Sequence, residues 1–137
     1  MHRNLPTLLA LVTLAAPLTS QTRPGHVYVV GYYQVLPGRA QAYGKAIADV
    51  SIPVFDELVK RKVVVSHLFL SQSAGSGEYT NLAVIELANW GGLDGFDAKL
   101  NEATQAVLHK SWSDATAGFP ELRRFIRFEH YVPAGQP

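Results

Sequence analysis

Val27 to Arg39 reads VYVVGYYQVLPGR, and the reading of this stretch decides the fold. β-Branched and aromatic side chains favour extended backbone because they pack well on a pleated surface. Val27 to Leu36 is therefore predicted to be a strand, which Pro37-Gly38 ends. Alternation places Val27, Val29, Tyr33 and Val35 on one face, and Tyr28, Val30, Tyr32 and Leu36 on the other. A strand with one wet face would alternate apolar and polar residues. Here both faces are apolar, so the sheet needs a cover on each side. The chain's own helices supply one cover, and a second copy of the chain is expected to supply the other.

Downstream of this strand, Ala40, Tyr43, Ile47, Val50, Val54 and Leu58 step by three and four, which places them on one stripe of a helix. Pro53 lacks a backbone donor and crowds the preceding turn. A kink or break is therefore predicted between Val50 and Val54, with a second helical piece running to about Arg61. Val63 to Ser71 and Tyr79 to Leu87 read as strands around a Gly75-Ser76-Gly77 turn, a β-hairpin. Leu93, Phe96, Leu100, Ala103 and Val107 define a second amphipathic helix, and Leu122 to Val132 a last strand. The order β-α-β-β-α-β predicts an α+β, ferredoxin-like domain: a four-stranded antiparallel sheet with two helices on one face.

Upstream, Met1-His2-Arg3-Asn4 is a basic start and Leu8 to Leu18 an apolar run, followed by small residues up to Ser20. This order reads as a signal peptide over residues 1–20, with residues 21–137 forming a single domain. The apolar run is shorter than the roughly 20 residues a spanning helix needs, so a secreted or periplasmic protein with no membrane association after cleavage is expected. Of the 12 Lys and Arg, Arg3 lies in this leader, which leaves the remainder balanced against 11 Asp and Glu. A neutral chain lacks the basic footprint of nucleic-acid binding. The chain holds no cysteine, so a disulfide framework and a cysteine nucleophile are excluded.

His67 stands in an otherwise apolar strand. If the hairpin turns about Ser76-Gly77, Leu68 faces Ile85 and Leu70 faces Ala83 on the side of the helices. His67 then faces Glu86, and Phe69 faces Val84, on the opposite side. An imidazole oriented by a carboxylate can act as a general base, which makes His67 and Glu86 the candidate catalytic pair. The same two residues can equally form a self-satisfied cross-strand pair, and a register shifted by one would separate them. In the last strand Phe125, Arg127, Glu129 and Tyr131 share one face, with Arg124, Ile126, Phe128, His130 and Val132 against the helices. Arg127 and Glu129, with Tyr33 and Phe69 on the same outer face, are candidate ligand-binding residues; an interface ion pair accounts for Arg127 and Glu129 as well. Trp90 and Trp112 read as packing anchors. His26, His67, His109 and His130 fall on separate elements, so no metal site is expected.

Tyr33-Gln34-Val35-Leu36-Pro37-Gly38-Arg39, Glu86 ahead of Trp90 and Leu93, and Arg127-Phe128-Glu129 resemble the dimeric α/β-barrel superfamily. Its antibiotic-biosynthesis monooxygenase-like and NIPSNAP-like domains are the members the chain is most similar to. The resemblance implies two facing sheets in a homodimer and a cavity for a small, partly apolar molecule. The functions it implies range from cofactor-free monooxygenation and isomerisation to haem chemistry and no known activity. The chain lacks the larger haem-binding scaffold, so no cofactor is expected, and cofactor-free monooxygenase or isomerase activity is the enzymatic reading. A non-catalytic structural or interaction domain is the alternative.

Overall fold

The computed structural model describes residues 25–135. The first strand, β1 (Val27–Val35), pairs antiparallel with two neighbours, and the sheet order is β2-β3-β1-β4. Its partners are β3 (Asn81–Leu87) and β4 (Arg123–Tyr131), while β2 (Ser66–Ser71) lies outside β3. This is the ferredoxin-like βαββαβ arrangement expected from the element order. The signal-peptide reading lies outside the described residues.

Leu36-Pro37-Gly38-Arg39 turns the chain out of β1. Proline presets φ at its position, Gly38 takes φ +73°, and the Arg39 N–H bonds Leu36 O at 3.0 Å. Helix α1 (Ala40–Ala46) follows, then a π-helical turn over Ile47–Ser51, then α2 (Ile52–Lys60). The irregularity expected from Pro53 thus falls one turn earlier and breaks nothing. The Ile52 N–H reaches back to Ile47 O, the wider i→i−5 bond, and Pro53 enters α2 in its first turn, where no donor is needed. Ser71 and Asn81 flank the long hairpin loop, and a 3₁₀ turn at Trp90–Leu93 leads into α3 (Phe96–Leu108). His109 ends α3 in the left-handed conformation, and α4 (Trp112–Ala115) begins with Ser111 Oγ accepting the Asp114 N–H.

Helices α2 and α3 lie on one face of the sheet. Val54, Phe55 and Leu58 of α2 pack with Leu100 and Ala103 of α3 over Ile85 and Leu87. Leu58, fully buried, anchors this layer; truncating such a leucine to alanine costs about 2–5 kcal/mol. A smaller cluster of Tyr43, Ile47 and Phe119 closes the end near Val35.

Two register features overturn expectations. The β2–β3 ladder pairs Ser66 with Glu86, His67 with Ile85 and Phe69 with Ala83, one residue away from the predicted register. A one-residue slip sends every side chain of a strand to the other face, so His67 and Phe69 face the helices while Glu86 faces away. In β4 a bulge between the partners of Tyr32 and Tyr33 leaves Ile126 as the extra residue. Arg127, Glu129 and Tyr131 keep the predicted outer face, but Phe125 and Arg123 cross to the helix side, opposite Tyr33 and Val35. Tyr33 is likewise on the helix side, not with Arg127. Trp112 packs edge-on to Phe55 as an anchor, whereas Trp90 is 55% exposed and rests against His130.

Candidate functional site

Between the sheet and the helices lies a half-open cavity of about 1040 Å³. Val29, Gly31, Tyr33, Ala83 and Ile85 form its floor, Phe55, Phe96 and Leu100 its helical wall, and Phe125 and Phe128 its open margin. It has the size of a small-molecule site, and its wall is mainly apolar with a few polar groups. Those polar groups are Tyr33, Asp97, Thr116, Arg123, Arg124 and His130.

Gly31 explains why the floor is low. A Cβ built at Gly31 would stand 2.8 Å from the Tyr33 hydroxyl and 2.9 Å from Phe128 Cε1. The missing methyl lets the Tyr33 ring fold back against the strand, the close approach for which an isolated glycine in a strand is suited. Arg123 lies over that ring, its guanidinium carbon 3.7 Å from the centroid, and Phe119 flanks it at 4.6 Å. It also donates to the Tyr43 hydroxyl at 3.0 Å. Burial pushes the Tyr33 phenol above its ordinary pKa, against the opposing pull of Arg123, so the group stays a donor at neutral pH.

On the outer face, Glu86 is the hub of a buried polar cluster. His26 Nδ1 donates to Oε1 at 2.6 Å and the Tyr28 hydroxyl to the same oxygen at 3.2 Å, while Ser66 Oγ donates to Oε2 at 2.5 Å. Burial raises the carboxyl pKa, but the donors Ser66, His26 and Tyr28 together outweigh it and the net shift is downward. A second cluster surrounds Glu129, which accepts from the Tyr131 hydroxyl and from Arg127 Nε at 2.7 Å. Tyr131 spends its one proton on Glu129, so Tyr32 donates to the Tyr131 oxygen at 2.6 Å. Arg127 also reaches Glu78 and stacks over Tyr32 at 4.3 Å. The Tyr131 bond, then Arg127, hold the Glu129 carboxyl down at about 2.

The predicted pair is therefore divided. His67 Nε2 meets Asp56 Oδ1 of α2 at 2.8 Å, its ring lies between Phe55 and Phe69, and its Nδ1 is buried without a partner. Glu86 takes His26 in its place, a residue just before β1 that sequence reasoning passed over. Tyr33 and Phe69 meet at the cavity, while Arg127 and Glu129 pair with each other on the outer face. Arg123, His130 and Gly31 were missed as well. A lone glycine within VYVVGYYQV was the signal for Gly31; the bulge that aims Arg123 inward has no comparable mark. Among the described residues no cluster of His, Asp and Glu is placed to hold a metal ion.

Sheet order, helix placement and cavity define an α+β domain of ferredoxin-like fold with room for a ligand between its layers. No protein-family model and no curated protein matches the chain. Solved structures do. HapK from Hahella chejuensis superposes with a TM-score of 0.56 at 15% identity, over 81% of this chain and 95% of that one. SnoaB from Streptomyces nogalater, a cofactor-independent oxygenase, gives 0.50 at 14% identity over 81% and 95%. A candidate antibiotic biosynthesis monooxygenase from Chloroflexus aurantiacus gives 0.50 at 12% identity over 82% and 97%. At such identities the likeness concerns the fold: the chain has the ferredoxin-like architecture of antibiotic-biosynthesis monooxygenase-type domains.

Proposed function

We propose that this chain is exported and, as a homodimer, binds a small, partly apolar molecule in the cavity between its sheet and its helices. The cavity itself, about 1040 Å³ with aromatic walls and few polar groups, carries the reading. Apolar probes of two-ring size should saturate the mature protein at one site per chain in calorimetric titration. Phe69→Trp, at a lining residue, narrows the cavity and should abolish that binding while leaving the thermal melt in place. Binding untouched by the narrowed cavity would refute it as the site.

Dimerisation is supported by the outer face, where Leu68, Leu70 and Tyr131 are 57%, 44% and 45% exposed around the polar clusters. Apolar area of this kind is more stable covered. Sedimentation should give a dimer at micromolar concentration, and Leu68→Glu should dissociate it. Export rests on the Leu8 to Leu18 run and is tested by N-terminal sequencing of protein from outside the cytoplasm, with a start near Gln21 expected.

Cofactor-free oxygenation and isomerisation both begin with loss of a proton from an activated substrate. Of the cavity's described lining residues, His130 alone carries an imidazole able to take that proton. Oxygen uptake with a panel of quinols, lost in His130→Ala, would assign the chain to catalysis. Ligand binding without turnover would assign it to binding alone.

A further inference from the structure

Resting on the reading of the cavity as a ligand site, we propose that its ligand is a planar aromatic anion, a carboxylate or phenolate, with its charge on Arg123. Two other arginines of the fold have carboxylates. Arg61 Nε meets Glu57 at 2.8 Å and Arg127 Nε meets Glu129 at 2.7 Å. Arg123 is half-buried, lines the cavity and pairs with no carboxylate among the described residues. Among the described residues its side chain makes one hydrogen bond, to the neutral Tyr43 hydroxyl, which leaves most of its five N–H donors for a ligand. Three rings surround it, those of Tyr33, Phe119 and Tyr43, at 3.7, 4.6 and 5.5 Å from the guanidinium carbon. Ring faces stabilise a cation, and they also fix the orientation of its planar fork before any ligand arrives. A cation withdrawn from water, held still and without a counter-charge is a site for an anion.

Tyr33 places a donor beside that cation. Its hydroxyl has no hydrogen-bond partner among the described residues and lies over Gly31 on the cavity floor, next to the Arg123 guanidinium. Open to the cavity, it can donate to a ligand oxygen held by Arg123. Charge on the wall agrees: Arg123 and Arg124 face one carboxylate, Asp97. The aromatic walls Phe55, Phe69 and Phe125 favour a flat π-system over an aliphatic chain.

Calorimetric titration of the mature protein at pH 7 with 2-naphthoate and its neutral isostere 2-naphthamide tests the proposal. The acid is expected to bind about tenfold or more tightly than the amide, the gain typical of a charge-assisted fork. Arg123→Gln should erase that preference while leaving amide affinity within about twofold, and Arg123→Lys, which keeps the charge, should retain part of it. Arg39→Gln, at an exposed arginine outside the cavity lining, should leave the preference intact. Equal affinities for acid and amide, or a preference that survives Arg123→Gln, would overturn the anion assignment and leave the cavity reading standing. If neither compound binds at millimolar concentration, the cavity reading falls as well. Because the acid–amide ratio is measured on the unaltered protein, the outcome does not hang on any variant folding.

Discussion

The two faces of β1 are finished to different degrees. On the outer face Glu86 accepts three hydrogen bonds and Glu129 two, all from groups of the same chain. On the inner face, among the described residues, Arg123 has no counter-charge and the Tyr33 hydroxyl no acceptor. A face whose polar groups are already paired gains little from a small polar ligand and much from apolar cover. A face with a fixed, unpaired cation and donor gains from a ligand that matches them. The same strand can thus serve a partner subunit on one side and a small molecule on the other.

The largest effect is expected from breaking the outer network. Glu86→Ala removes the acceptor shared by His26, Tyr28 and Ser66 and should cost about 3 kcal/mol in urea unfolding, with Tm falling by about 10 °C. Glu86→Gln, which keeps the shape, should cost less. A loss under about 1 kcal/mol would mean that water already serves these donors, and the contrast between the faces would disappear.

Ligand binding sharpens the contrast from the other side. Gly31→Ala pushes on the far ends of Tyr33 and Phe128, so stability should stay within about 1 kcal/mol while 2-naphthoate affinity falls by roughly tenfold. A large loss of stability instead would make Gly31 a folding residue. Acid should separate the faces too. The carboxyls of Glu86 and Glu129 lie below their ordinary value when folded, Glu129 at about 2. Such groups contribute stability above the unfolded carboxylate pKa near 4.5, and that contribution is lost as pH falls through the folded values. Glu129→Gln should therefore flatten the dependence of urea stability on pH between about 4.5 and 2.

The smallest change is expected at His67. Its exposed partner Asp56 offers a pair worth under about 1 kcal/mol, and its Nδ1 is buried unpaired. His67→Phe should be neutral or stabilising by about 0.5 kcal/mol in thermal melts. A variant that folds yet loses turnover would return His67 to the chemistry.

The fold was legible because each element announces itself: the β-branched run of β1, the three-and-four stripes of α2 and α3, the glycine turn of the hairpin. Faces were harder. His67 and Glu86 were set together by centring the hairpin between Ser76 and Gly77, and the loop from Gln72 to Thr80 is long enough that its midpoint carries no such authority. Parity in β4 held from Arg127 to Tyr131 and failed before Ile126, since a bulge leaves no composition signal when it holds an ordinary isoleucine. Arg123 was unreadable for the same reason. His26 lay outside the strand pattern, and only the pairing of β1 with β3 brings it to Glu86.

That bulge has a consequence for the edge of the sheet. Among the described residues β4 is an outer strand of nine residues whose far side has no strand beside it, and the row of backbone groups along such an edge is a template on which another chain can add. The extra residue at Ile126 breaks the row near its middle and twists the two halves apart, so an incoming strand finds no continuous ladder. The protein can therefore be concentrated without growing end-on into filaments along β4, whereas removing Ile126 would straighten that edge and make it adhesive.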